Sequence, residues 1–243
     1  MSLKKGLHIL NKFSLTQSEW TVEELSNSLE MPSSSMYRYI RTLKEEGYLK
    51  ERDGKYSLGF QVIHLAQIAR QDFELFTVAK EIMDALSKKY NETFLLSVKS
   101  GNHVVCIAKA ESLKNSIKVS SEEGAIMPLY AGGSSKALLA YQDEDFINEF
   151  LKENKLKKYT ENTLVDIEQL KLNLESVRKK GYAISDSEQD ENISALGFPI
   201  FSSRGDIVAS LSLVVPNFRK SIINNEVLQS EMKQATLDIG KFL

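Results

Sequence analysis

The chain has 243 residues, a formal net charge of −2 and 42% hydrophobic residues, enough for one large domain or two ordinary ones and too near neutral for a generally polybasic nucleic-acid coat. Its single cysteine, Cys106, excludes an internal disulfide and points to a reducing compartment. No run of 18 apolar residues and no apolar secretion core are present, so a cytoplasmic protein with no membrane contact is expected.

Leu7, Ile9, Leu10 and Phe13 give a first supporting helix. Thr21-Val22-Glu23-Glu24-Leu25 opens a second with a capping box, Thr21 capping while Glu24 reaches back. Val22, Leu25 and Leu29 share one helical face. Met31-Pro32 breaks that helix, and Ser33-Ser34-Ser35 offers hydroxyl caps for a third running to about Glu46. Met36, Ile40 and Leu43 pack it inward, while Ser34, Tyr37, Arg38 and Arg41 fall on the opposite face. Gly47 ends it. Tyr48-Leu49-Lys50 and Tyr56-Ser57-Leu58 flank Asp53-Gly54, a strong hairpin signal. Helix, tight turn, helix, hairpin is a winged helix-turn-helix whose recognition helix enters a DNA major groove.

Two amphipathic helices and a hairpin also build protein-docking modules, and three details favour double-stranded DNA. Between Ser33 and Lys44 stand three basic residues and no acid. Hydroxyl residues crowd the helix start, where backbone N–H groups meet phosphates. The hairpin carries Lys50, Arg52 and Lys55, placed to straddle a backbone. The expected DNA contacts are Ser33, Ser34, Ser35, Tyr37, Arg38, Arg41, Lys44, Arg52 and Lys55. Through Arg70 there are ten Lys/Arg against eight Asp/Glu, so the mild positive excess sits at the front. So modest a charge holds DNA weakly alone, which suggests a dimer.

Phe60 to Phe76 reads as one long helix without Pro or Gly, a rigid linker and dimer contact, with a domain-packing helix as the alternative. Beyond it the pattern mixes helix and strand. Thr77–Tyr90 is helical, Gly101-Asn102 joins two strands, and Glu122-Glu123-Gly124 joins Ile117–Ser120 to Ala125–Met127. Helices follow Gly132-Gly133 and cover Phe146–Lys152 and Val165–Lys180. Strands lie near Tyr182–Ser185, Ser194–Phe201 and Ile207–Val215, and a helix from about Asn225 closes the chain. Grouped hairpins with flanking helices predict an α+β fold with an antiparallel sheet. The expected divisions are 1–59, a linker 60–76 and a second domain 77–243.

Catalytic sets are absent from the pattern. His8, His64 and His103 have no metal-ligand spacing, and Cys106 lies in an apolar strand as a structural thiol. Gly132-Gly133-Ser134-Ser135-Lys136 lacks the first glycine of a Walker loop. The acidic run Ser185 to Glu191 reads better as a polar connection than as a metal site. No enzyme, metal or cofactor is expected. The Gly132-Gly133 entry to a helix fits an anion site and an ordinary cap equally well.

These motifs resemble the IclR family of bacterial transcriptional regulators over nearly the whole length. The front match runs through Lys5-Gly6-Leu7-His8-Ile9-Leu10, Thr21 to Leu25, Pro32 to Arg38, Glu46-Gly47-Tyr48-Leu49 and Tyr56-Ser57-Leu58-Gly59. The middle match is Pro128 to Ala140, and the rear match is Gly181, Ser185, Glu188, Ala195-Leu196-Gly197 and Ile200-Phe201, with Ser202 standing where the family carries Asp or Asn. The resemblance implies a GAF-like effector domain behind the winged helix. It also implies dimers or pairs of dimers on palindromic operators, repression more often than activation, and a small metabolite that shifts DNA affinity. By carry-over the pocket residues are Val119, Met127, Gly133, Ser134, Ser185, Ala195, Ser212 and Val214. Several members carry Asp at the position of Ser185, Cys at Ala195 and Ser at Val214, so this pocket is less acidic and more apolar, and the retained Gly133-Ser134 start favours a small anion. The other classes are a small-molecule enzyme with a docking domain and a metal-sensing regulator using His103 or the Ser185–Glu191 loop.

Overall fold

The structure is a computed structural model describing residues 2–14, 16–71, 74–111 and 122–242. The chain divides into two compact units, 1–73 and 74–243.

The first unit holds α1 (Ser2–Leu10), α2 (Val22–Ser28), α3 (Ser33–Glu45), β1 (Leu49–Arg52), β2 (Lys55–Leu58) and α4 (Phe60–Gln71). The capping box forms as its residues dictate: the Glu24 N–H donates to Thr21 Oγ1 at 3.2 Å, and the Thr21 N–H donates to Glu24 Oε2 at 2.7 Å. Ile9, Leu25, Met36, Ile40, Leu49 and Tyr56 form the core that holds α3 on α2 and the hairpin. Helix α3 starts differently from the expectation. Its N-cap is Pro32, with no side-chain cap, so the three serines lie within the first turn. A proline at φ −56 already has the backbone angle that leads into a helix. The end of α3 is a Schellman motif: Gly47 takes φ +75, Tyr48 N–H donates to Leu43 C=O and Gly47 N–H to Lys44 C=O. Asp53 and Gly54 both have positive φ, the requirement of the tight type I′ hairpin turn.

The second unit holds α5 (Glu74–Tyr90), β3 (Thr93–Ser100), β4 (His103–Ala110), β5 (Ile126–Pro128), α6 (Gly133–Leu139), α7 (Glu144–Glu153), α8 (Ile167–Lys180), β6 (Ala183–Asp186), β7 (Ile193–Phe201) and β8 (Ile207–Pro216). A 3-10 segment (Asn217–Asn224) and α9 (Glu226–Gly240) follow. The strands form one antiparallel sheet in the order β5-β4-β3-β8-β7-β6. The period of two along each strand separates two cores. Leu95, Cys106, Met127, Ala195 and Val214 face α6, α7 and α8. Phe94, Leu96, Leu196, Phe198, Leu211 and Leu213 face α5 and α9. Helix α6 is buried along its whole length, as a helix lying between a sheet and two others must be.

Two sequence expectations shift, and a third falls outside the described residues. Glu74–Phe76 belong to α5 rather than to the helix before it, because buried Leu75 continues the Ala79, Met83, Leu86 stripe. The strand at 126–128 begins one residue later than read. The strand expected at Ile117–Ser120 lies outside the described residues, as does Val119. Among the described residues no helix is long and apolar enough to cross a membrane.

Candidate functional site

Two surfaces carry the chemistry, one in each unit. On α3, Ser33, Ser34, Tyr37, Arg38, Arg41 and Lys44 are exposed and Ser35 is half-buried. Arg52 and Lys55 on the hairpin are exposed too. Most of these cations already have carboxylates. Arg41 pairs with Glu45 at 2.8 Å and Lys44 with Glu51 at 2.7 Å. Arg52 lies 3.7 Å from Asp53, and Lys55 lies 3.9 Å from Glu19. The bond to Glu45 raises the Arg41 pKa, and that to Glu51 raises the Lys44 pKa. Such exposed pairs are weak and screened by solvent, so a phosphate can replace the carboxylate. Arg38 differs: among the described residues it has no ion pair, and its stem edges a groove between α1 and α3.

In the second unit, seven of the eight expected pocket residues line one recess between α6 and the sheet: Met127, Gly133, Ser134, Ser185, Ala195, Ser212 and Val214. The recess is narrow, a cavity of about 40 Å³ that opens to solvent at its mouth. Leu95, Gly132, Ser135, Gln189, Asp190 and Ile193 complete the lining. Gln189 and Asp190 belong to the acidic run that reads as a connection. Their side-chain direction depends on the left-handed residues Ser187 and Asn192, at φ +54 and +62, which no local pattern announces.

The recess exists because backbones touch. A Cβ on Gly197 would sit 2.3 Å from the Gly133 carbonyl oxygen, and one on Gly133 would sit 3.1 Å from the Ala195 Cβ. Glycine at both positions lets α6 lie directly on β7. Its first-turn N–H groups have no partner within the helix. Hydroxyls surround them. Ser134 and Ser212 share a 2.7 Å hydrogen bond, and Ser97 Oγ lies 3.5 Å from Ser134 Oγ. Ser135 Oγ is buried with no hydrogen-bond partner. An orphaned buried hydroxyl costs ~1–3 kcal/mol, a cost that a bound ligand can relieve.

The charges divide sharply. Lys136 is fully buried and pairs with Glu188. Asp186 pairs with Lys220 at 3.1 Å on the outside, and this contact lowers its pKa. Asp190 reaches the recess itself, and burial raises its pKa. Burial likewise pushes the Cys106 thiol up to about 12, the behaviour of a packed, unreactive sulfur. Among the described residues no group of three His, Cys, Asp or Glu side chains is placed to hold a metal.

The comparisons match both units of the chain. The profile of the IclR helix-turn-helix domain matches residues 2–53, and that described as the bacterial transcriptional regulator IclR C-terminal domain matches residues 67–241. The transcriptional regulator KdgR of Escherichia coli is 33% identical over 202 residues, 82% of this chain and 76% of KdgR. The regulator KipR of Bacillus subtilis is 27% identical over 98% of this chain and 94% of its own. An IclR-type regulator from a Silicibacter species superposes with a TM-score of 0.89 at 24% identity, covering 99% of this chain and 95% of that one. An IclR homologue from Microbacterium hydrocarbonoxydans, solved with 4-hydroxybenzoate, gives 0.84 at 22% identity, covering 99% and 98%. With the C-terminal profile alone spanning well over half of its residues, this chain belongs to the IclR family of transcriptional regulators, DNA-binding proteins rather than enzymes.

Proposed function

We propose that this regulator is a homodimeric repressor of a palindromic operator, released or tightened by a small carboxylate held in the recess against α6. The observation that carries the reading is the recess wall: first-turn N–H groups with no partner within the helix beside buried hydroxyls, with no cationic side chain among the described lining residues. Ser134 and Ser135 would meet the carboxylate, and Ser185 and Ser212 its other polar atoms. Met127, Val214 and the expected Val119 would cover its apolar side. Asp190 at the mouth would accept from a hydroxyl of the ligand and repel a second carboxylate. The Microbacterium neighbour's ligand, 4-hydroxybenzoate, has one carboxylate and one hydroxyl and is therefore a suitable first probe.

On the DNA side, α3 would lie in the major groove. Arg38, Arg41 and Tyr37 would face the bases, Ser33, Ser34, Ser35 and Lys44 the phosphates, and Arg52 and Lys55 the flanking backbone. A protein seated there obstructs polymerase, the physical basis for taking repression as the sign. Ligand occupancy shifts the population of two arrangements, and a coupling of ~1–3 kcal/mol changes operator affinity roughly 5–150-fold.

The test is calorimetry with small organic acids on the wild type and on Ser134→Asp. The added charge should abolish binding while the circular dichroism stays unchanged. A best ligand that is cationic, or that binds both proteins equally, overturns the carboxylate assignment.

A further inference from the structure

The Lys136–Glu188 pair lines none of the recess. Its contacts, however, reach three of the segments that do. Lys136 Nζ donates to the Ile184 carbonyl at 2.8 Å, next to Ser185 on β6. It also donates to Glu188 Oε1. The other carboxylate oxygen, Glu188 Oε2, accepts the N–H of Gly132 at 3.3 Å, where the turn into α6 begins. Gly132 stands at φ +105, with the Gln189 side-chain oxygen and Ser135 Oγ close to where a Cβ would be. The Glu188 main chain is fixed in turn, its carbonyl accepting from Thr163 Oγ1 at 2.6 Å. Glu188 itself carries Gln189 and Asp190 on its following residues.

We propose that Lys136 and Glu188 are positioning residues for the effector: one buried ion pair sets the Gly132–Ser135 turn, Ser185 and the Gln189-Asp190 segment in the relative places that ligand binding needs. This rests on reading the recess as the effector site. A buried ion pair is poor evidence of stabilisation, since a well-packed neutral replacement is often as stable. Helix α6 is already held by Leu138, Leu139 and the glycine contact with β7, so the fold does not need the pair. What a neutral replacement cannot reproduce is a carboxylate that takes the Gly132 N–H while a cation neutralises it and ties Ile184 to the same point. The pair also supplies an acceptor to the turn at no net charge, leaving Asp190 as the unneutralised carboxylate of the recess.

The experiment uses the full chain and two variants. Glu188→Gln alone strands the buried ammonium and should lower Tm. Lys136→Met combined with Glu188→Gln removes both charges and should keep Tm close to wild type. Hydrogen exchange of the free proteins is read by mass spectrometry. In the double variant, peptides covering 130–136 and 183–191 should exchange at least tenfold faster, with β3 and β8 unchanged. Calorimetry with 4-hydroxybenzoate, pyruvate and gluconate as probes should show affinity at least tenfold weaker at near-wild-type Tm, a split that a merely structural pair would not give. Exchange unchanged in those peptides, or probe affinity within twofold of wild type, overturns the proposal. If no probe binds the wild type, the reading of the recess as the site for these acids fails, and the exchange result alone decides whether the pair positions its walls.

Discussion

Gly197 on β7 and Gly133 at the start of α6 meet backbone to backbone. A Cβ at 197 would lie 2.3 Å from the Gly133 carbonyl oxygen and 2.9 Å from the Ser134 nitrogen. No flexible side chain is there to yield, so the helix itself must move. Gly197→Ala should therefore destabilise by ~1–3 kcal/mol or more and draw Ser134 away from Ser212. At roughly 2–4 °C per kcal/mol for a protein of this size, the expected loss in Tm is several degrees. Scanning calorimetry of the full chain measures it. A variant with wild-type Tm would mean that α6 does not rest on β7 as described.

The winged helix gives a sharper test of the DNA surface. Arg38 lacks the carboxylate partners that hold Arg41 and Lys44. Nothing has to be broken before it contacts DNA. Arg38→Ala should weaken operator binding at least tenfold, in line with ~1–3 kcal/mol for an arginine that reads guanine. If it serves a phosphate instead, all sequences weaken alike and the salt slope falls by about one. Titrations at several salt concentrations separate these outcomes, and unchanged binding would remove Arg38 from the interface.

The first unit was largely legible in the sequence because its signals are local. A capping box, a Pro-Ser break, a glycine stop and an Asp-Gly turn each act within four residues. The cap of α3 misled, since Ser33 to Ser35 offer hydroxyls but Pro32 already occupies the cap position. The recess was legible only through family carry-over. Its residues lie on β5, α6, β6, β7 and β8, and no spacing rule brings Met127 to Val214. Gln189 and Asp190 were missed because loop direction depends on left-handed Ser187 and Asn192. The role of Lys136 was hidden for a similar reason. Its acid comes from 52 residues away, beyond the reach of any local pattern.

The capping box sets a pH dependence. The Thr21 backbone N–H, and then its hydroxyl, lower the Glu24 pKa from its ordinary 4.5. A carboxyl with a depressed folded pKa contributes stability above its unfolded value and loses it as pH falls through the folded one. Glu24→Gln should therefore be less stable than wild type at pH 7. The gap should begin to shrink as pH falls to the unfolded carboxyl value, about 4.3, and should close only below the lowered folded value. Urea melts at pH 7 and in acid follow the difference, and a gap that widened on acidification would contradict the assigned bond.

Helix α4 carries the argument for assembly. Phe60, Ile63, Leu65 and Ile68 are 76%, 56%, 42% and 44% exposed on a 12-residue helix. So short a helix is marginal in water on its own, and large exposed apolar side chains along it mark a surface that associates. A second copy of the same helix is the partner that a palindromic site demands, because a two-fold DNA sequence is matched by a two-fold protein. The wild type should sediment as a dimer or larger at micromolar concentration. Phe60→Glu with Ile63→Glu, three residues apart on one side of the helix, places two charges in the proposed paired face. The variant should dissociate or weaken its dimer at least tenfold, keep the ligand affinity of the second unit, and lose operator affinity more than half-site affinity. Sedimentation run with and without DNA decides the matter: a monomeric wild type, or a variant that still dimerises as tightly, would place the contact somewhere other than α4.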